Sequence, residues 1–317
     1  MSDRMHAVPF DVMLDWILTE YRENQSIFSI PSSQFHLPSA HPPYASEVFG
    51  HRLTTPIGPA AGPHTQLAGN IVTAWLCGGR FIELKTVQVM DDLEIPRPCI
   101  DLADEGYNVE WSQELQLSES ASEYTKAWAF VHVLRRLLDL DSSTPFGTVF
   151  NMSVGYDLQG ILSRPMQQFI DRLENAAPEL DEIEKVLGGY PEFADLEIPR
   201  RIIDNVTLST MHGCPPDEIE KIARYLIEER GLHTTVKLNP TLLGKERVLS
   251  ILHDRLGFVG MDIPDAVFAH DLAYDRALEL IESLRDSADR HGVEFAVKLS
   301  NTLAVANHRD VLPGDKM

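Results

Sequence analysis

Apolar and polar positions follow two rhythms along this chain. Short β-branched and apolar runs end on polar or small residues, and stretches with helical spacing lie between them. The clearest example spans Asn205 to Glu229. Val206-Thr207-Leu208 reads as a buried strand, and Ser209-Thr210-Met211-His212-Gly213-Cys214 as a polar corner. Pro215-Pro216-Asp217-Glu218 reads as the opening of a helix, because proline loses nothing in the first turn and carboxylates suit its positive end. Ile219, Ile222, Ala223, Leu226 and Ile227 then form one face of that helix, and Gly231 ends it.

The same period predicts helices over Asp11 to Arg22, Thr65 to Cys77, Ala121 to Leu138, Arg164 to Ala176, Pro178 to Leu187, Gly244 to Leu256 and Tyr274 to His291. Ser29 to Tyr44 holds Pro31, Pro38, Pro42 and Pro43 and reads as an irregular connection. Extended runs are expected at Thr54 to Pro63, Phe81 to Leu84, Gly147 to Gly155, Val206 to Leu208, Thr235 to Leu238 and Phe295 to Leu299. Strands alternating with helices specify a parallel α/β sheet, and polar tips at every C-terminal end favour a (β/α)8 TIM barrel. No G-x-G-x-x-G follows any strand, which argues against an open dinucleotide-binding sheet. The barrel is expected to be incomplete. A closed one has eight strands, yet only the 15 residues from Leu303 to Met317 follow the sixth tip, Ser300-Asn301-Thr302, so the chain reads as a fragment. The domain expectation is a helix and proline-rich arm over residues 1–50, then a partial barrel over 51–317 with an insertion near 88–118.

Composition narrows the partners. Of 317 residues 44% are hydrophobic, enough for a large core in a soluble protein, and Lys+Arg 27 against Asp+Glu 48 leave a net charge of -21. Such a surface repels phosphate backbones and anionic lipid, so neither nucleic acid nor membrane is an expected partner. The N-terminus lacks the basic and apolar regions of an export signal, and no long apolar run occurs, which leaves the cytoplasm as the expected location. Cys77, Cys99 and Cys214 lie far apart without a C-x-x-C, so no local metal or cluster motif is expected.

The candidate chemistry sits at the strand tips. Lys85, Lys237 and Lys298 end strands, with Asn151, Asn239 and Asn301 beside them. Such a set serves an anionic or heteroaromatic ligand, or a network with the chain's own carboxylates. Cys214 at a helix start invites a depressed pKa and a role as acid or nucleophile, against the alternative of a half-buried packing thiol. His212 is either a proton shuttle or a residue that orients the turn, and Thr210 either donates a proton or satisfies backbone groups. No G-x-S-x-G, P-loop or H-E-x-x-H occurs.

Five stretches carry a resemblance to a known family: Thr55-Pro56-Ile57-Gly58-Pro59-Ala60-Ala61-Gly62-Pro63-His64-Thr65-Gln66, Glu83-Leu84-Lys85-Thr86-Val87, Phe150-Asn151-Met152-Ser153-Val154-Gly155-Tyr156, Leu208 to Pro216, and Val236-Lys237-Leu238-Asn239-Pro240-Thr241-Leu242-Leu243-Gly244. With these the chain closely resembles the YgfK family, provisionally labelled a selenate reductase subunit, over nearly its whole length. More distantly it resembles the flavin barrel of dihydropyrimidine and dihydroorotate dehydrogenases. The resemblance implies an FMN-linked oxidoreductase barrel. Ala60, Ala61 and Gly62 would lie against FMN, Lys85 and Lys237 would hold its ring, and Thr86 and Asn151 would line the site. Asn301, Thr302 and Asp157 would meet the substrate, and Cys214, Thr210 or His212 would supply the proton. The longer family members are implied to add 4Fe–4S clusters and a portion binding FAD and NAD(P)H. The cysteine departs from the pyrimidine enzymes' pattern by four positions, and Asp157 stands where they have an asparagine.

The resulting expectation is the N-terminal part of a flavin- and iron–sulfur-dependent oxidoreductase that reduces a planar N-heterocycle or selenate. Redox partner chains or missing C-terminal domains complete it, and residues 1–317 alone are expected to hold FMN weakly or not at all. The alternatives are a Schiff-base lyase using a strand-end lysine and a non-catalytic redox assembly subunit.

Overall fold

The computed structural model of the chain describes residues 6–89, 115–140, 143–210, 214–269, 271–307 and 310. In chain order these form α1 (Phe10–Asn24), β1 (Ser26–Ile27), β2 (Ile30–Pro31), β3 (Ser46–Val48), β4 (His51–Leu53), α2 (Ala68–Leu76), β5 (Phe81–Glu83), α3 (Leu117–Leu137), β6 (Val149–Val154), α4 (Leu158–Ile161), α5 (Arg164–Glu174) and α6 (Ala177–Leu187). Then come β7 (Asn205–Ser209), α7 (Ile219–Arg224), β8 (His233–Leu238), α8 (Lys245–Leu249), α9 (Asp265–Ala269), α10 (Tyr274–His291) and β9 (Phe295–Leu299). β1–β2 and β3–β4 are antiparallel hairpins. From β5 onward strands and helices alternate and the recorded pairings are parallel, as a β/α barrel requires. No helix among the described residues is long and apolar enough to cross a membrane.

Two expectations need correction. The proline-rich connection is not wholly irregular: Phe28 and Ser29 take positive φ and turn the chain, so that Ile27 pairs with Ile30. The Glu20 carboxylate secures that turn, accepting from Phe28 N at 3.0 Å and Ser29 N at 2.6 Å. The helix after the polar corner begins at Ile219, not Pro215, and continues as a π-helical turn over Tyr225–Glu229, as α8 does over Ser250–Arg255. One extra residue per turn barely disturbs an apolar stripe, so the period alone hides it. The expected insertion near 88–118 falls mostly on residues 90–114, which lie outside the described ones, and α3 starts at Leu117.

Described residues of Met1–Val87, Glu114–Met152 and Arg164–Asp204 make one compact unit, and those of Gln88–Gln113, Ser153–Ser163 and Asn205–Met317 another. In the first, β5 and β6 pair in the register Phe81↔Val149, Ile82↔Phe150, Glu83↔Asn151. The expected first strand runs along the other side of β5, where Ile57 O accepts from Arg80 N at 2.8 Å and Pro59 O from Glu83 N at 3.2 Å. Pro56 and Pro59 have no N–H to return, which is why this run is extended without being a regular strand. Trp75, Phe130, Phe150 and Phe169 fill the core, and buried Arg80 ties it to the backbone through Trp75 O (2.6 Å) and Gly79 O (2.8 Å). In the second unit β8 lies between β7 and β9, with Ser209↔Lys237 and Lys237↔Lys298 in register. Parallel register puts these three side chains at one level of one face.

A pH prediction arises in the first unit. His132 is stacked on Phe146 at 4.9 Å and edge-on to Trp128 at 4.9 Å, with its Nε2 shut away from any hydrogen-bond partner. Burial, with Arg135 adding to it, pulls its pKa down from the usual 6.5 to about 4. The unfolded chain therefore binds more protons in this window. Stability is full above about pH 6.5 and falls as the pH drops toward 4, by about 3 kcal/mol. Urea unfolding at pH 7 and 4.5 should show this loss in the wild type and most of it gone in His132→Phe; equal slopes in both would refute the assignment.

Candidate functional site

In the first unit, small residues stand at the end of the extended run. Ala60 is exposed and Ala61 and Gly62 are half-buried, with the His64 ring lying against Gly62. This floor is held from below: Glu83 Oε2 accepts from Ala61 N at 2.9 Å, and Gly62 N donates to Thr65 Oγ1 at 3.2 Å. Thr65 O in turn accepts from Lys85 N at 3.2 Å. Lys85 and Thr86 are both only 3% exposed, Lys85 Nζ donates to Thr86 O at 3.3 Å, and Tyr124 OH donates to Lys85 O at 3.0 Å. Asn151 is fully buried on β6, with its backbone O accepting from Leu84 N at 2.9 Å. Floor, cation, hydroxyl and amide therefore belong to one packed structure.

The second unit holds a pocket of about 230 Å³ at the strand tips. Thr210, Cys214, Asn239, Thr241, Asp271 and Thr302 form its polar side, and Pro240, Val267, Leu303 and Ala304 its apolar side. Behind the apolar wall Val248, Ile263 and Val305 pack with Phe268 and Leu303, which fixes the loop bearing α9. Thr210 Oγ1 donates to Lys237 O at 2.8 Å, so its proton is engaged by the backbone. Asn301 is buried beside the pocket, with Nδ2 donating to Asn239 Oδ1 at 2.7 Å and to Lys237 O at 3.2 Å. Lys237 is buried on β8, and Lys298 is half-buried on β9.

Cys214 corrects the expectation of a thiolate. It lies five residues before α7 and not at its first turn, and it is buried. Burial, then the carboxylates of Glu218, Asp157 and Asp217, push its pKa up to about 12. The group keeps its proton, which suits an acid and not a nucleophile. Asp157 Oδ1 caps α4, accepting from Gly160 N at 2.7 Å, and the residue acts on Cys214 from outside the pocket's lining. His212, with Met211 and Gly213, lies outside the described residues. Sequence reading missed Asp271 as a site residue, because a lone aspartate in a loop of an acidic chain carries no signal. Asn239 and Thr241 had one, in the Asn-Pro-Thr corner that follows β8.

Among known proteins, the family described as "Oxidoreductase YgfK, N-terminal TIM-barrel domain" matches residues 28–317. Proteins of Escherichia coli strains K12 and O157:H7, both provisionally named oxidoreductase YgfK, are 48% identical over 338 residues, covering 100% of this chain and 32% of theirs. The chain thus spans about a third of the length of these relatives. A solved structure, ligand-free type DHODH from Eimeria tenella, matches 83% of this chain and 77% of its own at 14% identity and a TM-score of 0.38, a likeness too loose to bear on the site.

Proposed function

Because the chain belongs to the family of N-terminal TIM-barrel domains of the oxidoreductase YgfK, we propose that it is the flavin-holding portion of an oxidoreductase that reduces a planar nitrogen heterocycle. The observation that carries this reading is the 230 Å³ pocket, where a thiol that keeps its proton stands among amide, hydroxyl and apolar groups. Selenate fits it less well. Among the described residues no lysine or arginine lines the pocket and Asp271 does, whereas an oxyanion calls for cationic donors.

The residues of the first unit fit a flavin ring. Small residues at Ala60 to Gly62, with Ala60 exposed, suit a flat face, and the His64 ring closes against Gly62, where a Cβ would meet it at 2.6 Å. The resemblance assigns Lys85 and Lys237 to FMN; each is buried within its own unit, and Thr86 and Asn151 stand with Lys85 in the first. FMN, when bound, supplies a hydride. Cys214 holds the matching proton at Sγ, and the apolar side of its pocket limits water. By the same reading electrons arrive from FAD, NAD(P)H and 4Fe–4S groups held by other domains or partner chains.

Cys214→Ser should lower the rate of substrate reduction roughly 100-fold or more while leaving flavin content unchanged. Single-turnover oxidation of the reduced longest natural form of the protein measures this. An unchanged rate would remove Cys214 from the chemistry.

A further inference from the structure

We propose that Asp271 is a positioning residue that fixes which end of the Asn239 amide faces the pocket and which faces Asn301. Its carboxylate is an acceptor with three protein donors: Leu272 N at 2.8 Å, Asn239 Nδ2 at 3.1 Å, and Thr241 Oγ1. A carboxylate can only accept, so the Asn239 group facing it is the NH2. That turns Asn239 Oδ1 the other way, where it accepts from Asn301 Nδ2 at 2.7 Å and is approached by Thr210 Oγ1 at 3.4 Å. Asn301 is then fully specified. One Nδ2 proton goes to Asn239 Oδ1 and the other to Lys237 O, and Asn301 Oδ1 is left with the long 3.4 Å contact to Ser209 Oγ.

The order along the relay is thus Asp271, Asn239, Asn301, running from the loop before α10 through the tip of β8 to the tip of β9. An amide has no steric preference between its two ends, so a group that can only accept is what makes the choice. On the reading proposed above, the consequence for a ligand is direct. Asn239 lines the pocket with its oxygen engaged by Asn301 and approached by Thr210, so a donor is what it has left to offer, and Asp271 beside it offers an acceptor. An adjacent donor and acceptor match the edge of a ring lactam, which carries C=O and N–H side by side.

Side-chain amide exchange read by 15N–1H NMR on the full chain tests the relay without any ligand, so its failure is distinct from failure of the functional reading. The two Nδ2 protons of Asn301 and its backbone N–H, which donates to Leu238 O at 2.9 Å, serve as three separate probes. In Asp271→Asn the introduced amide can present either end, and Asn239 is released to flip. The Asn301 proton facing Asn239 should then exchange roughly tenfold faster, as loss of one such hydrogen bond implies. Its partner proton facing Lys237 O and the backbone N–H should stay near wild type. Asp271→Ala should give the same split. Unchanged exchange of all three protons overturns the proposal, and so does an equal acceleration of all three, which would mean that Asp271 only holds the loop together.

Discussion

Gly58→Ala should unfold or grossly destabilise the first unit, at a cost of at least about 4 kcal/mol. A Cβ built at Gly58 would lie 1.7 Å from Phe81 O and 2.5 Å from Phe81 C, both backbone atoms of β5 that cannot rotate away. The extended run would have to leave the strand, which breaks the bonds from Arg80 N and Glu83 N to Ile57 O and Pro59 O. It would also carry off the floor at Ala60 to Gly62. Gly188→Ala is the control, since a Cβ there meets nothing nearer than 3.4 Å, and it should change stability by less than about 0.5 kcal/mol. Thermal unfolding of the two variants decides the point, and a wild-type midpoint for Gly58→Ala would contradict the close approach.

The second large effect is expected at the lysines. Lys85→Met and Lys237→Met keep nearly the same side-chain volume and remove a buried cation in each case. A charge-assisted hydrogen bond of the usual strength puts the loss of FMN affinity at roughly 10- to 100-fold for either variant. Lys298→Met serves as the comparison: the residue is half-buried on β9, and its replacement should leave FMN affinity within about twofold. Fluorescence titration of FMN into each purified variant measures the difference. Wild-type affinity in both Lys85→Met and Lys237→Met would remove the lysines from the cofactor site.

Much of this arrangement is legible in the sequence because apolar period and strand-tip chemistry are local. Tyr274 to His291 matches α10 at both ends, and the Lys-Leu corners lie on β8 and β9. What the sequence hides is set by residues distant along the chain. Cys214 looks like the start of a helix, and only the folded chain brings Asp157 near enough to raise its pKa. Asp271 is thirty-two positions from Asn239, and nothing in its loop marks it as the partner of that amide. The extended run from Thr54 contains every residue of a strand except the N–H groups that its prolines lack.

The central claim is that this barrel domain holds FMN for an oxidoreductase. Its most direct test is acid release and mass identification of the cofactor from the longest natural protein that carries residues 1–317. The expected result is one FMN per chain, distinguished by mass from any FAD, with a lower FMN content in the Lys237→Met protein. A folded wild-type protein that releases no FMN, and takes none up when it is supplied, would contradict the account.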